Sequence, residues 1–227
     1  MDNRSMDNPL DKSASQPCGL SAAPATISGF DSDNGLQKSK TGTSFIADDD
    51  VRRIIITGDV QSGKSTLAAL LVQHLKHKNI RAAGIIARGL WKDDKRDGFD
   101  IVDLSTGQTT PLARRIPRTD MRNISQTPFK FLETGVATGR KALSLEQCTH
   151  AGLILVDEIG KLEVRRLGWA PCLAPLLALS QTVHVWIVRE HLVKEIRRIW
   201  QVAKTEVIHV TDPDALQKLI TACVKES

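Results

Sequence analysis

The run Gly58-Asp59-Val60-Gln61-Ser62-Gly63-Lys64-Ser65 constrains this chain more than any other feature. It satisfies G-x-x-x-x-G-K-[ST] in full. Glycines admit the backbone conformations and the close approach that let consecutive N–H groups wrap a polyphosphate. A helix opening at Lys64 adds the positive end of its dipole. In such a loop the lysine ammonium reaches the β- and γ-phosphates, and the Ser65 hydroxyl ligates Mg²⁺. The expected nucleotide-binding set is Gly58, Asp59, Val60, Gln61, Ser62, Gly63, Lys64, Ser65 and Thr66. The flanks agree with this reading. An apolar, β-branched run at 53–57 precedes the loop, and Leu67, Leu70, Leu71 and Leu75 follow at helical spacing.

A second element lies about 100 residues on. Leu153-Ile154-Leu155-Val156 reads as a buried strand, and it ends in Asp157-Glu158. An aspartate there delivers a carboxylate beside the metal, so Ser65 and Asp157 form the expected magnesium pair. Glu158 points elsewhere and can polarise the attacking water. Arg114, Arg115, Arg118 and Arg122 cluster further upstream, and Arg189 follows an apolar run at 183–188. Any of them could offset charge developing on the γ-phosphate. The expected catalytic set is Lys64, Glu158, Arg189 and Arg114. Lys194, Arg197 and Arg198 alternate with Val193, Ile196 and Ile199, as on the solvated face of an amphipathic helix. None of the six histidines makes a metal-ligand spacing, the His74/His77 pair included. No [NT]KxD run is present, so the guanine-reading element of small GTPases is missing.

The remaining periodicity places these elements in a fold. Strands are expected at 53–57, 82–87, 153–156, 183–188 and 207–210, with helices at 64–78, 133–147, 173–179 and 191–200. Runs at 99–104 and 109–112 flank Ser-Thr-Gly-Gln and read as a β-hairpin. Asp212-Pro213 reads as an N-cap with proline at the first helical position. Apolar strands alternating with helices predict an α/β fold. Its sheet is mostly parallel and covered by helices on both faces, with the hairpin appended.

Charge divides the chain near residue 50. Residues 1–50 hold eight Asp against four Lys and Arg, a net of −4, and no apolar period survives there. Such a segment cannot bury enough surface to offset its ordering entropy and reads as a disordered acidic tail. Its short apolar pieces (Ile27, Phe30, Phe45, Ile46) offer a contact for a protein partner. The domain is then 51–227, with a net charge of +9, which suits anionic ligands. A hydrophobic fraction of 41% excludes a wholly disordered chain. No stretch approaches the roughly 18 apolar residues of a membrane span, and the N-terminus lacks the pattern of a secretory signal. Cys18, Cys148, Cys172 and Cys223 form no C-x-x-C pair and read as free thiols of a cytoplasmic protein. With no Tyr, five Phe and four Trp, a stacking surface for nucleic acid is not expected. Neither a membrane nor an oligomeric partner is called for, and a monomer is expected.

Two longer strings now bear on identity. Gly98-Phe99-Asp100-Ile101-Val102-Asp103-Leu104 with Pro111-Leu112-Ala113-Arg114, and Val156-Asp157-Glu158-Ile159-Gly160-Lys161-Leu162-Glu163, resemble the cancer-related nucleoside-triphosphatase family. The resemblance runs from about residue 53 to 216. It implies a compact P-loop NTPase with a RecA/AAA-like core. Such a protein hydrolyses ATP, GTP and other nucleoside triphosphates to diphosphate and phosphate, with Mg²⁺ and loose base preference. By matching positions, Lys64 and Ser65 would hold phosphate and metal, Asp157 the metal, and Glu158 the water. Lys161 matches a family position without an assigned role. The chain departs from the family in its loop, GDVQSGKS where relatives more often show GxPGxGKT. It departs again in ARGLWKD at 87–93, where relatives show a TEEVR type. These departures leave phosphate binding intact and bear on substrate preference and turnover. Two rival readings stand beside hydrolysis. One is a P-loop small-molecule kinase with the arginine cluster as its lid, against which the Asp-Glu pair speaks. The other is a slow nucleotide-switched adaptor working through the acidic tail.

Overall fold

The computed structural model describes residues 52–116 and 128–224. The tail at 1–50, with the thiol of Cys18, lies outside the described residues, as do Arg118 and Arg122. The element order is β1 (Arg53–Thr57), α1 (Lys64–His77), β2 (Ala82–Lys92), β3 (Lys95–Asp103), β4 (Thr109–Arg115), β5 (Phe129–Phe131), α2 (Glu133–Ala142) and α3 (Leu145–Cys148). There follow β6 (Leu153–Ile159), α4 (Lys161–Val164), α5 (Ala170–Leu177), β7 (Val183–Val188), a 3-10 turn at Glu190–Leu192, α6 (Val193–Ile199), β8 (Glu206–His209) and α7 (Ala215–Cys223).

The strands form one sheet in the order β5-β4-β3-β2-β6-β7-β1-β8. From β2 to β8 every neighbouring pair is parallel, and from β2 to β5 every pair is antiparallel. The parallel half is apolar on both faces, which is why its strands read as unbroken hydrophobic runs. Ile55, Ile154, Val156, Trp186 and Val188 pack toward Ala142 of α2, Leu173 and Leu176 of α5, and Ile196 of α6. Ile54, Ile56, Leu153, Leu155 and Ile187 pack on the other side against Leu67, Leu71 and Leu75 of α1 and Leu219 of α7. Beyond α1, Ile86 of β2, Val102 of β3 and Leu104 just past it line a cleft.

Three local differences from the sequence reading have physical causes. First, β2 runs to Lys92 rather than stopping at Ala87, and it returns through Asp93-Asp94, both with positive φ (48° and 55°). Lys92 pairs with Lys95, so this is a two-residue hairpin of the kind usually built with Asn-Gly or Asp-Gly. Second, the helix expected at 133–147 breaks at Leu143, because Ser144 caps a new turn by accepting the Gln147 N–H. Third, the last helix opens at Ala215. The Asp212 carboxylate does not cap it and instead pairs with Lys218 at 3.1 Å. Neither β5 nor α4 has a counterpart in the sequence reading. Among the described residues no helix is long and apolar enough to cross a membrane, and no cluster of three metal-ligating side chains is present. Cys148, Cys172 and Cys223 are free.

One buried titratable group in β7 generates a test. His184 is 1% exposed, with Nε2 3.2 Å from the Leu179 carbonyl oxygen and Nδ1 without a partner. Burial, and then Arg53, lowers its pKa below the ordinary 6.5, against the pull of the Leu179 hydrogen bond. As pH falls through 6.5 the unfolded chain takes up a proton that the folded chain refuses. Stability therefore falls with acidification, by at most about 1.4 kcal/mol per pH unit for one proton. His184→Gln should flatten the urea-denaturation midpoint between pH 6.5 and 5. Equal slopes in parent and variant would exclude this assignment.

Candidate active site

The loop after β1 owes its path to three left-handed residues: Gly58 (φ 145°), Gln61 (φ 63°) and Gly63 (φ 93°). At Gly58 a side chain is also sterically barred, since a Cβ would lie 2.6 Å from Val210 Cγ1. The Asp59 carbonyl accepts from the Ser62 N–H (3.3 Å) and hydroxyl (2.8 Å), and Gly63 caps α1, with its carbonyl taking the Leu67 N–H at 2.9 Å. Alternating backbone of this kind forms a concave nest of N–H groups suited to an anion. The Lys64 ammonium donates to the Gly58 carbonyl (3.0 Å) and to the Asp59 carbonyl, and lies 3.4 Å from Ser62 Oγ. Its pKa is lowered, chiefly by burial.

Strand β6 carries the acids to the same place. Asp157 is 1% exposed. Its Oδ2 accepts the Ala87 N–H at 3.0 Å, its Oδ1 accepts the Glu158 N–H at 2.7 Å, and the Ser65 hydroxyl hydrogen-bonds to it. Burial, and then the neighbouring Glu158 charge, pushes its pKa up to about 7. Glu158 sits at φ 60°, where the register of β6 against β7 shifts, and its side chain is 42% exposed. Arg189, just past β7, places Nη2 3.7 Å from Glu158 Oε2.

The turn after the acids is held by Glu163, to which the sequence reading gave no role. Glu163 is 2% exposed, its Oε2 accepts the Gly160 N–H at 2.8 Å, and its Oε1 accepts the Trp169 N–H at 2.9 Å. The first contact is the reciprocal half of a capping box on α4. Burial raises its pKa, against the pull of these hydrogen bonds.

A cleft of about 730 Å³ joins the parts. Val60 through Thr66, Asp157, Glu158 and Arg189 all line it, so Lys64, Ser65, the acid pair and one expected arginine come together. Gly58 and Asp59 shape the loop from beneath. Arg114 is not among the lining residues. Its guanidinium pairs with Asp100 at 2.7 Å and donates to the Phe99 carbonyl at 2.9 Å, which ties β4 to β3, and to the Ala113 carbonyl of its own strand at 2.9 Å. Its neighbour Arg115 lines the cleft instead, together with Arg88, Trp91, Arg96, Phe99 and Phe129 from the antiparallel strands. Sequence reasoning missed that wall. The alternation of the 88–99 segment becomes readable only once Asp93-Asp94 is recognised as a turn. Lys161 is exposed and outside the cleft lining.

Comparisons with known proteins converge on one family. A family model described as NTPase matches residues 53–220. The chain is similar to the nucleoside-triphosphatase THEP1 of Methanosarcina barkeri, 26% identical over 165 residues, which is 66% of this chain and 86% of that protein. It is also similar to the nucleoside-triphosphatase THEP1 of Ignicoccus hospitalis, 31% identical over 112 residues, 49% of this chain and 61% of that one. Among solved structures, a human cancer-related nucleoside triphosphatase superposes with a TM-score of 0.60 at 24% identity, over 78% of this chain and 99% of that chain. THEP1 from the hyperthermophile Aquifex aeolicus superposes with a TM-score of 0.55 at 19% identity, over 76% and 99% respectively. At these identities the two structures carry the fold alone: an α/β sheet, mostly parallel, with antiparallel hairpin strands.

The Glu163 clamp can be tested directly. In Glu163→Gln one of the two buried N–H groups faces an amide that cannot accept it, a loss of about 1–3 kcal/mol. The thermal midpoint should drop accordingly, and turnover should fall with it while triphosphate affinity stays within twofold. An unchanged midpoint would remove Glu163 as the clamp of this turn.

Proposed function

The chain belongs to the NTPase family of P-loop proteins, and on that premise we propose that it is a magnesium-dependent nucleoside-triphosphate phosphohydrolase of broad base preference. One observation carries the reading: the loop with Lys64 and Ser65, a buried carboxylate and an exposed one share a single cleft. In this reading the loop N–H groups receive the β- and γ-phosphate oxygens. Lys64 exchanges the Gly58 and Asp59 carbonyls for them, an exchange that an ammonium resting on backbone oxygens makes without rebuilding the loop.

The donor set fits magnesium. A serine hydroxyl hydrogen-bonded to a buried carboxylate offers hard oxygens, and this cation characteristically takes one or two protein oxygens together with substrate phosphate and water. Ser65 and Asp157 would hold it, and bound there it supplies charge neutralisation at the phosphate oxygens. Glu158, half in solvent beside Arg189, accepts the proton of the attacking water. The water oxygen bonds to the γ-phosphorus while the bond to the β–γ bridging oxygen breaks, leaving diphosphate and phosphate. Arg189 is the arginine suited to the charge that develops on the γ-phosphoryl, and the cross-strand pairing of Arg114 keeps it from that task.

Three measurements test this. Glu158→Gln should bind ATP with magnesium as the parent does and release phosphate on the order of 10² times more slowly or worse. Parental turnover in that variant would rule out Glu158 as base. Lys64→Ala should lose affinity and activity together, and chelating magnesium should abolish phosphate release from ATP, GTP, CTP and UTP alike. Release that persists under chelation would take Ser65 and Asp157 out of the mechanism.

A further inference from the structure

The cleft is longer than a phosphate site requires. Moving across the sheet from the loop, the strand order β1-β7-β6-β2 passes the acid pair at the end of β6 before reaching the antiparallel strands. The limb beyond is walled by Arg88, Trp91, Arg96, Phe99, Arg115 and Phe129. Trp91 is 53% exposed, whereas Trp169, Trp186 and Trp200 are each 7% exposed or less. An indole left half in water beside charged groups is not a packing residue.

Its partner is built in. The Arg96 guanidinium lies 4.3 Å from the Trp91 ring centroid and 5.1 Å from that of Phe99. Gly89 leaves the room for it, since a Cβ there would fall 1.0 Å from Arg96 Nη1. Among the described residues this guanidinium donates no hydrogen bond, so its N–H groups remain for a ligand. The Arg96 carbonyl accepts from Arg115, whose guanidinium lies 5.2 Å from the Phe129 ring, and Phe129 meets Phe99 edge-on at 5.2 Å. The carboxylates among the lining residues are Asp157 and Glu158, and Glu158 is matched by Arg189. Arginines without acidic partners, set among aromatic faces, recognise a planar ring that carries negative charge.

We infer that this limb is a second ligand site, separate from the triphosphate loop, that takes a heteroaromatic monophosphate such as a nucleoside monophosphate. The ring stacks on Trp91 and the phosphate takes the free N–H groups of Arg96. That the loop holds the triphosphate, leaving the limb to another ligand, rests on the reading proposed above. The ligand class rests on the limb itself.

Trp91 is the reporter. The full-length chain, its loop filled with magnesium tripolyphosphate so that no base is supplied, is titrated with GMP and with AMP, following tryptophan emission and heat. Saturable quenching is expected, with guanosine and ribose 5-phosphate each at least tenfold weaker than GMP. Trp91→Leu should abolish the quench. Arg96→Gln and Arg96→Lys, checked for parental circular dichroism, should weaken GMP at least tenfold, whereas Lys64→Ala should leave GMP affinity within twofold. Absence of any GMP or AMP response up to about 5 mM overturns the proposal. So does competition between GMP and tripolyphosphate, or loss of the GMP response in Lys64→Ala, either of which assigns GMP to the loop. A one-to-one ATP quench of Trp91 that needs Lys64 also overturns it, by giving the limb to the substrate's own base. Phosphate release measured on the same preparation separates the two readings. Hydrolysis without a GMP response sinks only the limb, and a GMP response without hydrolysis sinks only the activity.

Discussion

Everything at this site depends on keeping one carboxylate inside an apolar sheet. Asp157 is 1% exposed at the end of the apolar run Leu153–Val156, and a charge buried there is costly unless it is hydrogen-bonded. Its partners come from three directions: the Ala87 N–H from β2, the Ser65 hydroxyl from the start of α1, and the Glu158 N–H from its own strand. The same contacts fix how far β2 and α1 stand from β6. Burial pushes the Asp157 pKa up against the pull of these partners. A group so placed gains by receiving a cation, so the structural cost and the proposed metal role have one origin.

The antiparallel half of the sheet has a different job. β2 belongs to both halves, pairing in parallel with β6 over Ala82–Ile85 and antiparallel with β3 from Ile85 to Lys92. Where α1 ends its cover, this extension continues and turns the open side of the loop into a cleft. Arg114 ties β4 to β3 through Asp100 and the Phe99 carbonyl, so the wall is held by a partly buried ion pair as well as by ladder hydrogen bonds. The residues that make the fold compact and those that face a ligand therefore alternate along the same strands.

That alternation decides what could be read from the sequence. The loop at 58–65 and the Asp157-Glu158 pair could be placed on the fold from sequence, because their spacing and the flanking apolar runs suffice to locate them. The parallel strands were legible for the same reason. The choice between Arg114 and Arg115 was not, because a shift of one residue exchanges the two faces of a strand. The irregularity between Phe99 and Asp100 in the pairing of β3 with β4 sets which arginine faces the cleft, and no local pattern announces it. The turn at Asp93-Asp94 hid the wall because it lacks the glycine that usually marks such a hairpin. Glu163 was overlooked because one of its two partners, the Trp169 N–H, lies six residues ahead in a stretch with no periodic signal.

The backbone at Glu158 explains how two adjacent acids come to line one cleft. In a regular strand, consecutive residues point to opposite faces, so adjacent carboxylates could not share a site. Here Glu158 adopts a left-handed conformation and the strand slips register against β7, so that both side chains line one cleft, the first buried and the second in solvent. A non-glycine residue in that region costs on the order of 1–3 kcal/mol and persists only where its surroundings over-determine it. The Glu158 N–H is held by Asp157, and the Gly160 N–H two residues on is held by Glu163. Two buried carboxylates thus anchor the turn from either side, and the exposed one between them keeps the freedom that its proposed role as proton acceptor needs. The last acid of the Asp-Glu-Ile-Gly-Lys-Leu-Glu string then acts by keeping the second in place, not by touching a ligand.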